Sequence, residues 1–160
     1  MDILVVIDMQ NDFIDGALGT PEAEAIVPNV VDRVKNFNGL VLATRDTHGE
    51  DYLEKQEGKK LPVVHCIKGT HGWEIKDEIQ QLLISQPIDK PTFGSEALGK
   101  VLKDLNNDVE PIDSITLVGL CTDICVISNA MLLKAFLPEV PIMVDASCCA
   151  GVTPESHERA

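Results

Sequence analysis

Cys125 is the residue whose position most strongly indicates chemistry. It lies in the segment Gly119–Val126, between a short β-branched apolar run at 114–118 and an apolar-periodic stretch at about 122–136. This pattern predicts a buried strand followed by a helix, with Cys125 in the first helical turn. Unpaired backbone N–H groups and the helix dipole favour a thiolate there and could bind an oxyanion. The sequence therefore indicates a nucleophilic cysteine, and a buried structural cysteine is the alternative.

Other polar residues also follow predicted strands. Asp8 ends the first apolar run, Asp46 and His48 follow the second, and Lys90 lies on a short edge segment. The carboxyl ends of the strands of a doubly wound sheet converge on one crevice, where ligands bind. A thiol, a carboxylate and a lysine meeting there would provide a nucleophile, a proton acceptor and a charge that tunes both. A solvated edge lysine is the alternative for Lys90.

Composition restricts the class of protein and its partners. The chain has 160 residues, 44% of them hydrophobic, which is typical of a globular α/β protein with a core of its own. Its net charge of −13 excludes nucleic acid and anionic membranes as partners, since both would be repelled. The N-terminus has no basic region ahead of its short apolar run, so we expect a cytoplasmic protein. The five cysteines are expected to be reduced thiols.

The elements that must position these residues alternate between strands and helices. This alternation predicts an α/β fold: a three-layer α/β/α single domain over 1–160, with a doubly wound, mostly parallel sheet. No glycine-rich dinucleotide or P-loop motif is present. Apolar spacing predicts helices at about 23–37, 72–83, 95–105 and 122–136. The start signals of a last helix at Thr153–Pro154 lack an apolar stripe after them, so we expect that helix to be truncated or completed by a neighbour.

Four motifs together resemble a known family. They are Val5–Phe13, Asp46-Thr47-His48, Lys90 and Gly119–Val126, and the similarity extends from residue 2 to about 154. In residue types, order and spacing they resemble the isochorismatase-like cysteine hydrolases, and within these the nicotinamidases. The resemblance implies a six-stranded parallel sheet flanked by helices. It also implies a catalytic triad and an oxyanion hole made by two backbone N–H groups next to a cis Leu120–Cys121 peptide; the triad is Asp8, Lys90 and Cys125, and the N–H groups are those of Cys121 and Cys125.

The same resemblance implies a divalent metal. Nicotinamidases bind one through an Asp-x-His pair and a downstream histidine, and some add a carboxylate between them. A mixed nitrogen and oxygen set suits Zn, with Mn or Fe as alternatives. The alternative to a metal site is that the first pair caps a turn and the downstream histidine is half-buried in the core. The predicted ligands are Asp46, His48, His65 and Glu57, with Glu54 and Asp51 as rivals for the last place.

The implied reaction is hydrolysis of nicotinamide to nicotinate and ammonia through a thioester on Cys125. Phe13 and Leu120 are expected to contact the substrate, with Trp73 or Phe93 as a further wall. This chain departs from the nicotinamidase pattern because no aromatic residue lies just before His65. Amide hydrolysis is therefore a firmer prediction than the identity of the amide.

Two other functions remain open at this point. One is a related amidase acting on ureido or carbamoyl groups, although such enzymes typically lack the metal-binding trio. The other is a non-catalytic α/β binding protein, which the intact triad disfavours. Vinyl-ether cleavage is disfavoured, since the enzymes that perform it do not use a cysteine at this position. A homo-oligomer with a small amide as its substrate is expected.

Overall fold

A computed structural model describes residues 1–160 and contains one sheet of five parallel strands. The strand order is β3-β2-β1-β4-β5, so the first strand lies at the centre and the chain winds outward in both directions. This is the doubly wound arrangement that the alternation of elements predicts. The strands are β1 (Asp2–Ile7), β2 (Leu40–Asp46), β3 (Ile88–Lys90), β4 (Ser114–Leu120) and β5 (Ile142–Ala150).

Helices cover both faces of the sheet, which gives the predicted three layers. α2 and α4 pack on one face, and α5 and α6 pack on the other. Ser95 caps α5 by accepting a hydrogen bond from the Leu98 N–H, and Thr153 caps α7 in a capping box. The helices are α1 (Asn11–Ile14), α2 (Pro21–Lys35), α3 (Gln56–Lys60), α4 (Asp77–Gln80), α5 (Glu96–Asp108), α6 (Ile127–Phe136) and α7 (Pro154–Arg159).

β1 is the centre of the core. Residues Ile3 to Ile7 have no exposed surface, and alternate side chains enter the two apolar clusters on either side of the sheet. A central parallel strand is covered on both faces, which explains its continuous apolar run. The carboxyl end of this rigid strand therefore fixes the position of Asp8.

The structure differs from the sequence-based expectations in two elements. The sheet has five strands and not six: between β2 and β3 the chain adds only one isolated bridge to the parallel pairing, between His48 and Ile67, and after β5 it forms a helix. The helix expected over 72–83 is reduced to a 3-10 turn, His71–Trp73, and the four-residue α4. Its apolar residues Ile75 and Ile79 are nevertheless buried. The apolar spacing therefore predicted the buried residues correctly but overestimated the length of the helix.

The predicted helix at 122–136 begins with a wider turn. Residues Thr122–Val126 form a π-helical turn, in which the Val126 N–H donates to the Cys121 carbonyl, and α6 follows. The Leu120–Cys121 peptide bond is cis, as the resemblance implies. No helix in the structure is both long enough and apolar enough to span a bilayer.

Gly119 allows β4 to lie against β1 immediately before this turn. Its φ is +120°, and a Cβ at this position would collide with the carbonyl oxygen of Ile7. A side chain here would therefore meet both a strained backbone and a steric clash.

We expect Gly119→Ala to lower the free energy of unfolding by about 2–4 kcal/mol, since strain and overlap combine. Gly69→Ala is the matched control, because Gly69 also has a positive φ of +88° but has no atom within 4 Å of an added Cβ. Gly69→Ala should lower the free energy of unfolding by only about 1 kcal/mol. Denaturant unfolding of both variants measures the difference, and equal costs would contradict the close approach at Gly119.

Candidate active site

A buried ion pair lies where the carboxyl ends of β1, β2 and β3 meet. Lys90 Nζ is 2.8 Å from Asp8 Oδ2 and 3.3 Å from Cys125 Sγ. Asp8 and the Lys90 side chain have no exposed surface, and Cys125 is 4% exposed. The structure thus brings the three residues of the predicted triad into contact, and it excludes the solvated edge lysine.

Asp8 is held from its backbone as well as its side chain. Its φ of 48° is uncommon for a residue other than glycine. The Asp8 N–H donates to the Thr44 carbonyl at 3.2 Å, and the Thr44 hydroxyl donates to Asp8 Oδ1 at 2.8 Å. The sequence analysis missed Thr44, although its place near the end of β2 was the available signal. These bonds leave Oδ2 directed at Lys90.

Burial controls the ionisation of this cluster. Desolvation raises the pKa of Asp8, and the positive charge of Lys90 opposes that rise. Desolvation lowers the pKa of Lys90, but the Asp8, Cys125 and Asp46 charges outweigh it and raise that pKa above its ordinary value. Lys90 is therefore the cation that counteracts the effect of burial on the Asp8 carboxyl, although desolvation remains the larger effect.

Burial opposes ionisation of the Cys125 thiol. Desolvation raises its pKa well above the ordinary value, the Asp8 carboxylate raises it further, and Lys90 opposes both. The expectation of a thiolate stabilised by the helix dipole is thus wrong for this site, because burial is the larger effect. A thiol next to an ionised carboxylate can still lose its proton during attack on a substrate.

The predicted metal ligands also converge, next to the ion pair. One ligand atom from each of the four side chains lies within 4.8 Å of the other three. His48 Nε2 is 2.8 Å from Asp46 Oδ2 and 3.3 Å from Glu57 Oε2, and His65 Nε2 is 3.3 Å from Asp46 Oδ2. Bonds of about 2.1 Å to a shared ion separate neighbouring ligand atoms by about 3.0–3.4 Å, so the spacing fits a transition metal.

The hydrogen bonds of these residues support the same interpretation. His65 Nδ1 lies 2.6 Å from the Val63 carbonyl, which can only accept, so Nδ1 carries the proton and Nε2 offers a lone pair to the centre. Asp46 Oδ1 and Glu57 Oε2 are buried without a hydrogen bond of good geometry. The His65 lone pair, Asp46 Oδ2 and Glu57 Oε2 thus surround one point, an arrangement that suits a cation and is not expected of simple turn capping by Asp46 and His48.

Asp46 belongs to both clusters. Its Oδ1 lies 3.6 Å from Lys90 Nζ, while its Oδ2 faces the two histidines. Desolvation raises the pKa of Asp46, but its polar contacts with His48 and His65 and the Lys90 charge outweigh that effect, so the pKa falls well below its ordinary value. Asp46 is therefore an anion at neutral pH.

Two residues around the metal cluster, Tyr52 and Gln10, are not among the site residues predicted from the sequence. Tyr52 is buried, and its ring centroid is 4.6 Å from that of His48 and 5.0 Å from that of His65. The Gln10 amide accepts from the Asp46 N–H and donates to the Asp46 carbonyl, both at 2.8 Å. The rivals Glu54 and Asp51 lie outside the cluster, and Asp51 pairs with Lys55 at 3.2 Å.

A cavity of about 120 Å³ opens between the thiol and the metal cluster. Phe13, Leu120 and Phe93 line it, as expected. Of the two alternatives for the further wall, Phe93 is therefore the one found, and Trp73 lies elsewhere: its indole N–H donates to the Thr47 hydroxyl, and the Arg45 guanidinium lies 4.0 Å above its ring. Residues from loops and from the first turns of two helical segments supply more of the apolar wall; they are Leu18, Leu61 and Val152 from loops, Ala23 from α2 and Ile124 from the π-helical turn.

Comparison with known proteins identifies the family. The isochorismatase domain model matches residues 2–160, and the chain belongs to that family. It is 24% identical to the nicotinamidase of Saccharomyces cerevisiae, with 82% of this chain and 80% of that protein aligned. The chain therefore has the α/β fold of the isochorismatase family, and its enzyme class is that of a hydrolase acting on amide bonds.

Two solved structures are similar over nearly the whole chain. The pyrazinamidase of Pyrococcus horikoshii in complex with zinc has a TM-score of 0.78 and 26% identity, covering 99% of this chain and 90% of that one. The N-carbamoylsarcosine amidase of Thermoplasma acidophilum has a TM-score of 0.76 and 28% identity, covering 98% and 88%.

We expect Glu57→Gln to raise the dissociation constant for Zn²⁺ at least tenfold, since it removes one charged ligand. Glu54→Gln is the matched control, because Glu54 lies three residues before Glu57 in sequence but outside the cluster, and its replacement should leave the affinity unchanged. Calorimetric titration of metal-free protein with Zn²⁺ measures both constants. Equal affinities in the two variants would remove Glu57 from the site.

Asp8→Asn should make Cys125 easier to ionise, because it removes a carboxylate that raises the thiol pKa and leaves Lys90 in place. We expect alkylation of Cys125 by iodoacetamide at neutral pH to become several-fold faster, as followed by peptide mass spectrometry. Asp89→Asn is the control, since Asp89 lies on the same strand as Lys90 but pairs with Arg45. Unchanged or slower alkylation of Asp8→Asn would contradict the electrostatic account.

Proposed function

We propose that this protein is a cysteine-dependent amidohydrolase that converts nicotinamide to nicotinate and ammonia. The observation that carries the proposal is the contact of one buried ammonium, Lys90 Nζ, with both Asp8 and Cys125 beside an apolar cavity. A nucleophile, a proton acceptor and a fixed charge within hydrogen-bonding reach are the requirements for acyl transfer.

The first half of the reaction forms a thioester. Asp8 accepts the Cys125 proton as Sγ attacks the amide carbon, and the carbonyl oxygen becomes an oxyanion. The backbone N–H groups of Cys121 and Cys125 are the proposed donors to that oxyanion. Asp8 then gives its proton to the amide nitrogen, the C–N bond breaks, and ammonia leaves.

The second half releases the acid. Asp8, ionised again, accepts a proton from water as the water oxygen attacks the thioester carbon. The C–S bond breaks, nicotinate leaves, and Cys125 regains its proton. Lys90 stays charged throughout: it orients Asp8 and stabilises the developing thiolate, with no bond made or broken at Nζ.

The metal cluster forms one end of the same cavity, since Asp46 and His65 both line it. We propose zinc as the metal, with Mn or Fe as alternatives, held by Asp46, His48, Glu57 and His65. When bound, it supplies a Lewis-acidic centre that can orient a donor atom of the substrate. The similarity to a pyrazinamidase in complex with zinc supports this assignment.

The lining of the cavity favours an uncharged amide. No lysine or arginine lines it, and the nearby Lys90 is already engaged by two carboxylates. A substrate that carries its own carboxylate, such as an N-carbamoyl amino acid, would find no cationic side chain in the lining to pair with, and the Asp46 carboxylate would repel it. This favours nicotinamide over the carbamoyl alternative, despite the similarity to an N-carbamoylsarcosine amidase.

Cys125→Ala should reduce ammonia release from nicotinamide by at least about a thousandfold, because no other group replaces the nucleophile. Cys148→Ala is the matched control: Cys148 is also a buried thiol but does not line the cavity, so turnover should persist. A coupled ammonia assay on both zinc-loaded variants measures this. Turnover in Cys125→Ala would overturn the proposal, and Cys125-dependent release from N-carbamoylsarcosine alone would favour the alternative.

A further inference from the structure

Asn129 is a buried side chain that the proposed mechanism does not use. It lies one helical turn after Cys125 in α6, and it has no exposed surface. Its amide nitrogen donates to the Cys125 carbonyl at 2.8 Å and to the Phe93 carbonyl at 3.1 Å. Its amide oxygen accepts from the Ser95 N–H at 2.8 Å. One side chain thus joins two backbone segments that are distant in sequence.

The segment that contains Phe93 and Ser95 directly follows Lys90. The Lys90 ammonium donates to the Thr92 carbonyl at 3.0 Å, and Phe93, the next residue, lines the cavity. A Cβ added at Gly94 would lie 3.3 Å from the Leu132 side chain, so the segment runs close against α6. Positions 91–95, which we name the lysine loop, therefore orient both the ammonium and one wall of the cavity.

We propose that Asn129 is a positioning residue, which fixes the lysine loop against the nucleophile turn and so holds Lys90 Nζ in contact with Cys125 Sγ. This inference rests on the proposed function for its kinetic part only. The contact itself is a property of the resting protein.

Apart from Lys90 itself, Asn129 is the polar side chain that hydrogen-bonds to both segments, and it alone bonds to the backbone of each. β3 has three residues and pairs only with β2, whereas Cys125 follows β4, on the other side of β1. The sheet therefore does not join Lys90 directly to Cys125. An apolar residue at 129 would leave three buried backbone groups without this partner, and the loop would relax to satisfy them.

Asn129→Ala is the main test, and Asn129→Ser is a second variant in case the first fails to fold. A serine hydroxyl in a helix can still donate to the carbonyl four residues earlier, here that of Cys125, but it is too short to bridge to the lysine loop. In both variants we expect kcat for nicotinamide to fall at least about tenfold, because misplacement of a catalytic group by about 1 Å has effects of this size.

The alkylation rate of Cys125 distinguishes a displaced Lys90 from a general loss of packing in the core. If Lys90 moves away from Cys125, the thiol loses the charge that favours its ionisation, and its alkylation by iodoacetamide at neutral pH becomes slower. If the mutation merely opens the core, the buried thiol becomes more accessible and alkylation becomes faster. A loss of kcat with slower alkylation supports the inference, and unchanged or faster alkylation overturns it.

Asn106→Ala is the control for stability. The Asn106 side chain also accepts from a backbone N–H, that of Ile112, but lies at the far end of α5 from the cavity. It should lower stability without changing kcat or the alkylation rate. Alkylation is measured without substrate, so it tests Asn129 even if nicotinamide is not hydrolysed, and the two failures remain distinguishable.

Discussion

The buried ion pair between Lys90 and Asp8 is the interaction on which the rest of the structure depends. Removing one partner of such a pair leaves an uncompensated charge and costs about 3–5 kcal/mol. The surrounding elements hold both partners in place. β1 fixes the position of Asp8, the Thr44 hydroxyl on β2 donates to Asp8 Oδ1, and the Thr92 carbonyl of the lysine loop accepts from Lys90 Nζ. The sheet edge therefore brings charged groups together where water cannot screen them, and the thiol is placed within their field.

The same constraint explains why a metal cluster lies beside the thiol. Three carboxylates, from Asp8, Asp46 and Glu57, lie in the two adjoining clusters, and Lys90 is the one lysine among them. The excess of two negative charges in a half-closed site matches one divalent cation. Asp46 joins the two clusters because one of its oxygens faces Lys90 and the other faces His48 and His65. The candidate metal site and the ion pair are thus joined through one shared carboxylate.

The sequence predicted the residues at strand ends well, because parallel strands buried on both faces have a clear apolar signature and their ends must converge. Asp8, Lys90 and Cys125 are placed by that rule. The sequence was a poor guide to which loop residues line the cavity and to the ionisation of the Cys125 thiol. Trp73 and Leu61 illustrate the first failure, because the wall that a loop residue joins depends on contacts remote in sequence. The pKa of Cys125 illustrates the second, because burial, which is not visible in a local pattern, outweighs the helix dipole.

The central claim is that this charge arrangement makes Cys125 form an acyl intermediate, and the most direct measurement is partitioning with hydroxylamine. Nicotinamide and methyl nicotinate would be hydrolysed in parallel with increasing hydroxylamine, and nicotinohydroxamate and nicotinate would be quantified by chromatography. If both substrates acylate Cys125, the ratio of hydroxamate to acid is the same for both at each hydroxylamine concentration. Different ratios, or acid alone from nicotinamide, would contradict a common thioester and the role assigned to Cys125.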